Sequence, residues 1–82
     1  MKPRVLVVDD EETIRNLLKA RLEREGCEVT LAGSADDALA AFGADPGIGV
    51  IVTDLKMPGK DGLSLLKEVT GRSSSVRVIM IT

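Results

Sequence analysis

The sequence predicts an α/β fold: a parallel sheet with helices on both faces. Three observations carry this. Short aliphatic runs recur, as "RVLVV" near the start, "VIVT" in the middle and "VRVIMIT" at the end. Segments with apolar residues at helical spacing lie between them. Strands that alternate with helices are joined by right-handed crossovers, which makes the strands parallel and covers both faces of the sheet. At 82 residues the chain has room for one domain.

Arg4–Val8 reads as a strand buried on both sides, because every residue after Arg4 is aliphatic. A first helix follows "DDEE", with Ile14, Leu17, Leu18 and Leu22 as its apolar stripe and Gly26 as its C-terminal cap. "CEVTLA", from Cys27 to Ala32, alternates and predicts the second strand. Ser34 is a good N-cap for a short helix that buries Ala35, Ala38, Leu39 and Phe42. "ADPG" is a turn. The third strand covers Val50–Thr53, or starts as early as Ile48. "DLKMPGKDG" is a loop rich in turn residues, and a third helix then buries Leu63, Leu66 and Val69 and ends at Gly71. After the linker "RSSS", Val76–Ile81 forms a fourth strand, so the order is βαβαβαβ.

Composition excludes several functions. Phe42 is the only aromatic residue, which removes any stacking platform for bases or sugars, and the net charge of −2 gives no sign of nucleic-acid binding. A single cysteine makes no internal disulfide, so the cytosol is the expected compartment and Cys27 a small packed hydrophobe. No apolar run approaches membrane-spanning length. With no histidine there is no Ser-His or Cys-His nucleophile system, and no Gly-rich P-loop is present to cradle a nucleotide.

What remains is carboxylate chemistry. Asp9 and Asp10 follow the first strand, and Asp54 follows the third. If those strands are neighbours, the three acids meet at the edge where open α/β sheets bind ligands. Taken singly each is an ordinary acid; Asp10, directly before a helix, suits an N-cap. Together they repel, by roughly 3 kcal/mol per pair at ~5 Å and an effective dielectric of ~20. A hard divalent cation such as Mg²⁺ offsets that repulsion and shares phosphate oxygens. The remaining nucleophile is a carboxylate, which can attack phosphorus and form an aspartyl phosphate.

"VLVVDDEETIRNLL", "VIVTDLKMPGKDGLSLLKEV" and "VRVIMIT" together resemble the receiver domain of two-component response regulators, over essentially the whole chain. The resemblance implies the flavodoxin-like three-layer αβα fold, whose strand order begins 2-1-3-4. It implies Asp54 as phosphoacceptor, with Mg²⁺ held by Asp9, Asp10, Asp54 and the backbone carbonyl of Lys56. Thr82 would be the switch hydroxyl. Met57, Pro58, Gly59 and Gly62 would shape the loop that frames the site, a loop that a plain turn before a helix would explain equally well. The phosphoryl donor would be a histidine kinase, and the wording "LKMPGKDGLSLLKEV" is most like receivers that precede a σ54-activating module.

The chain departs from that pattern at its end. A full receiver has a fifth strand followed by a lysine, and two more helices; none of Lys2, Lys19, Lys56, Lys60 and Lys67 falls where that lysine belongs. The fourth strand is expected to be an apolar edge, which recruits other chains. Residues 1–82 are therefore expected to be a partial receiver domain. The alternative function is an interaction module that does not accept phosphate and self-associates through its fourth strand.

Overall fold

The computed structural model describes residues 2–59 and 61–81. The elements are β1 (Arg4–Val8), α1 (Glu12–Arg24), β2 (Glu28–Ala32), α2 (Ala35–Ala44), β3 (Val50–Asp54), α3 (Gly62–Arg72) and β4 (Arg77–Ile81). The strands form one parallel sheet in the order β2-β1-β3-β4, as the resemblance implied. Val8 lies opposite both Ala32 and Thr53, so β1, β2 and β3 finish level with one another. Residues that follow these strands emerge at one edge.

α1 packs against β1 and β2 from one face. The chain then reverses its path across the sheet, so right-handed crossovers put α2 and α3 on the other face. The main core lies there. Leu6, Val8 and Ile51 from the sheet meet Ala35, Ala38, Leu39 and Phe42 from α2, and Leu65 and Val69 from α3. α2 is as predicted in full: Ser34 Oγ accepts the Asp37 N–H at 3.1 Å, and all four stripe residues are buried.

α3 differs in phase. The buried positions are Gly62, Leu65 and Val69, whereas Leu63 is 47% exposed and Leu66 is half-buried. The cause is the start of the helix. Asp61 is its N-cap, and Gly62 packs so tightly that a Cβ there would run into the Asp54 carbonyl oxygen and reach within 3.1 Å of Leu55 Cα and Met80 Sδ. That contact fixes which side of the helix faces inward. Gly71 does not end the helix, which continues to Arg72 and is capped by Ser73.

On the opposite face no α1 residue is fully buried: Ile14, Leu18 and Leu22 are half-buried and Leu17 is 65% exposed. The cover thins across the sheet. Val7, Val52 and Ile79 lie side by side in register, and exposure rises from 0% at Val7 through half-buried Val52 to 51% at Ile79. Gly26, at φ +90°, closes α1 as predicted, and Cys27 donates its N–H to the Leu22 carbonyl at 3.0 Å. Cys27 is half-buried and precedes β2 instead of starting it.

At the N-terminal edge of the sheet Arg4 ties three segments together, reaching Glu28 Oε2 at 3.3 Å and Asp45 Oδ1 at 3.0 Å. Among the described residues no helix is long and apolar enough to cross a membrane.

Candidate functional site

The opposite edge gathers the acids. Asp9 directly follows β1 and is only 4% exposed. Its N–H donates to the Ala32 carbonyl at 3.2 Å, which continues the β1–β2 ladder by one step. Its Oδ1 accepts the Glu11 N–H at 2.9 Å. Burial is thus compensated by main-chain partners.

Asp10 is exposed and does not cap α1. Glu11 occupies the N-cap position with extended backbone and no side-chain capping bond. The helix starts one residue later than an Asp10 cap would require, so Asp10 stays in the loop. Asp54 is the last residue of β3 rather than the first beyond it, which gives it a strand partner, Ile81. It is half-buried, and its Oδ1 accepts the Lys56 N–H at 3.3 Å.

One carboxylate oxygen from each of Asp9, Asp10 and Asp54 lies within 4.8 Å of the others. Among the described residues none of the three takes part in an ion pair. At that separation and an effective dielectric of ~20, each pair of charges repels by roughly 3 kcal/mol. Three hard, anionic, partly open oxygen donors are the set that suits Mg²⁺, which keeps waters and shares phosphate oxygens. Asp9 and Asp54 line a cavity of about 340 Å³ together with Glu11, Ile14 and Ile81.

The loop after β3 runs from Asp54, in the cavity wall, to the start of α3. Leu55 donates its N–H to the Ile81 carbonyl at 3.1 Å and accepts the Gly62 N–H on its own carbonyl at 2.9 Å. Met57 is buried and anchors the loop in the core; Pro58 and Gly59 are exposed, with Gly59 at φ +79°, a conformation that favours glycine. Asp61 Oδ1 accepts the Ser64 N–H at 2.9 Å, and that bond holds its carboxyl below the ordinary value. Thr82 lies outside the described residues. The site also contains residues the sequence reading did not single out: Glu11, Ile14 and Ile81 in the lining, and Arg15, whose Nη1 donates to the Asp9 carbonyl at 2.8 Å. Arg15 was legible only as a polar residue between the apolar positions of α1.

The family description "response regulator receiver domain" matches residues 5–82. The transcriptional regulatory protein AruR of Pseudomonas aeruginosa is 45% identical over an 86-residue alignment that covers 100% of this chain and 35% of that protein. Among solved structures, the response regulator TrrA of Thermotoga maritima in complex with Mg²⁺–BeF superposes with a TM-score of 0.90 at 38% identity, over 98% of this chain and 68% of that one. TrrA bound to the histidine kinase ThkA gives a TM-score of 0.91 at 38% identity, over 100% of this chain and 69% of that one. The chain thus spans about a third of the length of that curated relative and about two-thirds of these solved receivers.

Proposed function

The chain belongs to the response regulator receiver domain family, and we propose that it is a phosphoacceptor in which Asp54 takes a phosphoryl group from a phosphohistidine on a partner histidine kinase. The observation that carries this reading is the convergence of three carboxylate oxygens within 4.8 Å at the end of β1 and β3. In the transfer, an Asp54 carboxylate oxygen attacks phosphorus in line. The new O–P bond forms as the P–N bond breaks, and the imidazole leaves with the bonding pair and takes up a proton. Phosphoryl transfer needs positioning and charge neutralisation above all. Position comes from the strand: Asp54 is fixed by its pairing with Ile81 and by the Lys56 N–H.

Asp9, Asp10, Asp54 and the backbone carbonyl of Lys56 are the proposed ligands of Mg²⁺. When bound, the ion supplies positive charge that offsets both the carboxylates and the phosphoryl oxygens. The solved neighbour that carries Mg²⁺–BeF supports this choice of ion, and the neighbour bound to a histidine kinase supports the choice of donor. Thr82 is proposed as the switch hydroxyl; in the sequence it follows Ile81, a residue of the cavity wall. A cytosolic location, a transcriptional output and the narrower likeness to σ54-activating regulators belong to the same proposal. So does the reading of residues 1–82 as the first part of a receiver.

The test is the intact mass of the chain after incubation with Mg²⁺ and a small acyl phosphate, beside Asp54→Asn. One added phosphoryl group on the wild type and none on the variant is the expected result. Equal labelling of both would remove Asp54 from the role.

One observation favours a second reading. Ile79 is 51% exposed on β4, which among the described residues pairs only with β3. A module that self-associates through β4 without accepting phosphate would form dimers on a sizing column and dissociate in Ile79→Lys.

A further inference from the structure

We infer that Arg15 is a positioning residue for the acidic site: its guanidinium fixes the peptide unit between Asp9 and Asp10 and so aims the Asp10 carboxylate. The inference rests on the phosphoacceptor reading and assigns that site a component from α1.

Asp9 and Asp54 each accept a main-chain N–H, from Glu11 and Lys56 respectively. Among the described residues Asp10 has no such bond, and it is exposed. What orients Asp10 is therefore its own backbone. The oxygen of the Asp9–Asp10 peptide unit is the Asp9 carbonyl, and Arg15 Nη1 donates to it at 2.8 Å, a short bond with a charged donor. Arg15 lies on the first turns of α1, next to the cavity wall formed by Glu11 and Ile14. It forms no ion pair with any of the three carboxylates among the described residues, so it acts on main chain rather than neutralising the site.

The guanidinium in turn lies against the β2–α2 connection. A Cβ added at Gly33 would lie 3.3 Å from Arg15 Nη1 and 3.7 Å from Arg15 Cζ, and Gly33 does not adopt the left-handed conformation that only glycine favours. An alanine at 33 is thus compatible with the backbone and is opposed only by Arg15. This gives two independent ways to move the same group. One removes the donor; the other leaves Arg15 in place and displaces it.

The probe is MgCl2 alone, titrated calorimetrically into the full chain at fixed ionic strength, together with amide exchange at Glu11 and the metal-free melting temperature. Arg15→Met keeps the apolar stem and loses the donor. It is expected to weaken Mg²⁺ binding roughly tenfold, the low end for residues that orient metal ligands. It is also expected to speed exchange of the Glu11 amide, while the metal-free melting temperature moves by a few degrees at most. Arg15→Lys, which retains one charged donor, restores part of the affinity. Gly33→Ala weakens Mg²⁺ less and adds nothing on top of Arg15→Met, because both act through one contact. If Arg15→Met does not fold, Gly33→Ala decides. Variants that bind Mg²⁺ as tightly as the wild type overturn the inference and leave the phosphoacceptor reading standing, and so does tighter binding by Arg15→Met, which would make Arg15 a competing charge. A wild-type chain that takes up no Mg²⁺ overturns both.

Discussion

The two edges of the sheet hold acids in similar number and treat them in opposite ways. At the N-terminal edge Glu28 and Asp45 share Arg4, and Asp45 Oδ1 also accepts the Gly47 N–H at 2.9 Å. At the C-terminal edge Asp9, Asp10 and Asp54 crowd within 4.8 Å, with main-chain N–H groups and no ion pair among the described residues. The fold evidently can bring a cation to its acids. Where it does not, the negative charge has no cationic partner among the described residues, and the proposed Mg²⁺ would supply one.

The largest expected effect is saturation with Mg²⁺. An ion that binds only the folded chain stabilises it by about 2.7 kcal/mol at a hundredfold excess over Kd. A melting curve that does not move in Mg²⁺ would break the comparison outright, since the C-terminal edge would then have no use for its charge. Next comes Asp54→Asn without metal. Relief of repulsion with both Asp9 and Asp10 is expected to raise stability by about 2 kcal/mol, the value for two such pairs fully screened by water, because Asp10 is exposed and Asp54 half-buried, while the response to Mg²⁺ is lost; denaturant midpoints with and without the ion check both halves.

Arg4→Ala is a smaller change with the opposite sign. Its partners are half-exposed, so the loss should lie within about 0.2–1 kcal/mol and shrink in high salt, the same condition that relieves the other edge. The smallest effect concerns Asp61, an acid held by a helix N-terminus instead of a cation. Because its folded pKa is lowered, its contribution is fully present above the unfolded carboxylate value and fades as pH falls through the folded one. Asp61→Asn should therefore lower stability slightly at neutral pH, and that difference should vanish as pH falls below about 4, which flattens the acid limb. A variant as acid-sensitive as the wild type would assign the acid limb to other carboxylates.

Much of this was legible in the sequence because independent signals agreed. In α2 the Ser34 cap and the stripe Ala35, Ala38, Leu39, Phe42 point to the same start and the same face, and the structure has both. The meeting of Asp9, Asp10 and Asp54 followed from parallel topology once the receiver resemblance placed β1 beside β3, since level strands deliver their ends to one edge. Legibility failed where the deciding group was not a side chain. α3 offers Leu63, Leu65 and Leu66, which allow two stripes; the choice is made by Gly62 against the Asp54 carbonyl, and a glycine contributes nothing to an apolar pattern. Arg15 was missed for a similar reason: its acceptor is a main-chain oxygen six residues away. The expected cap at Asp10 failed because the helix began at Glu12 behind an uncapped Glu11.

The seat of Gly62 against β3 sets how freely this chain can vary. A second glycine in the same helix, Gly71, has open space where a Cβ would go and can be exchanged for almost any residue except proline, most of them with a gain in local helix preference. At Gly62 even a methyl group meets rigid backbone, so no substitution is small. Random mutagenesis of α3 should return a broad alphabet at one glycine and a single letter at the other. The narrow position is the one that touches the Asp54 backbone, so drift in the outer helix cannot displace the end of β3 by gradual steps.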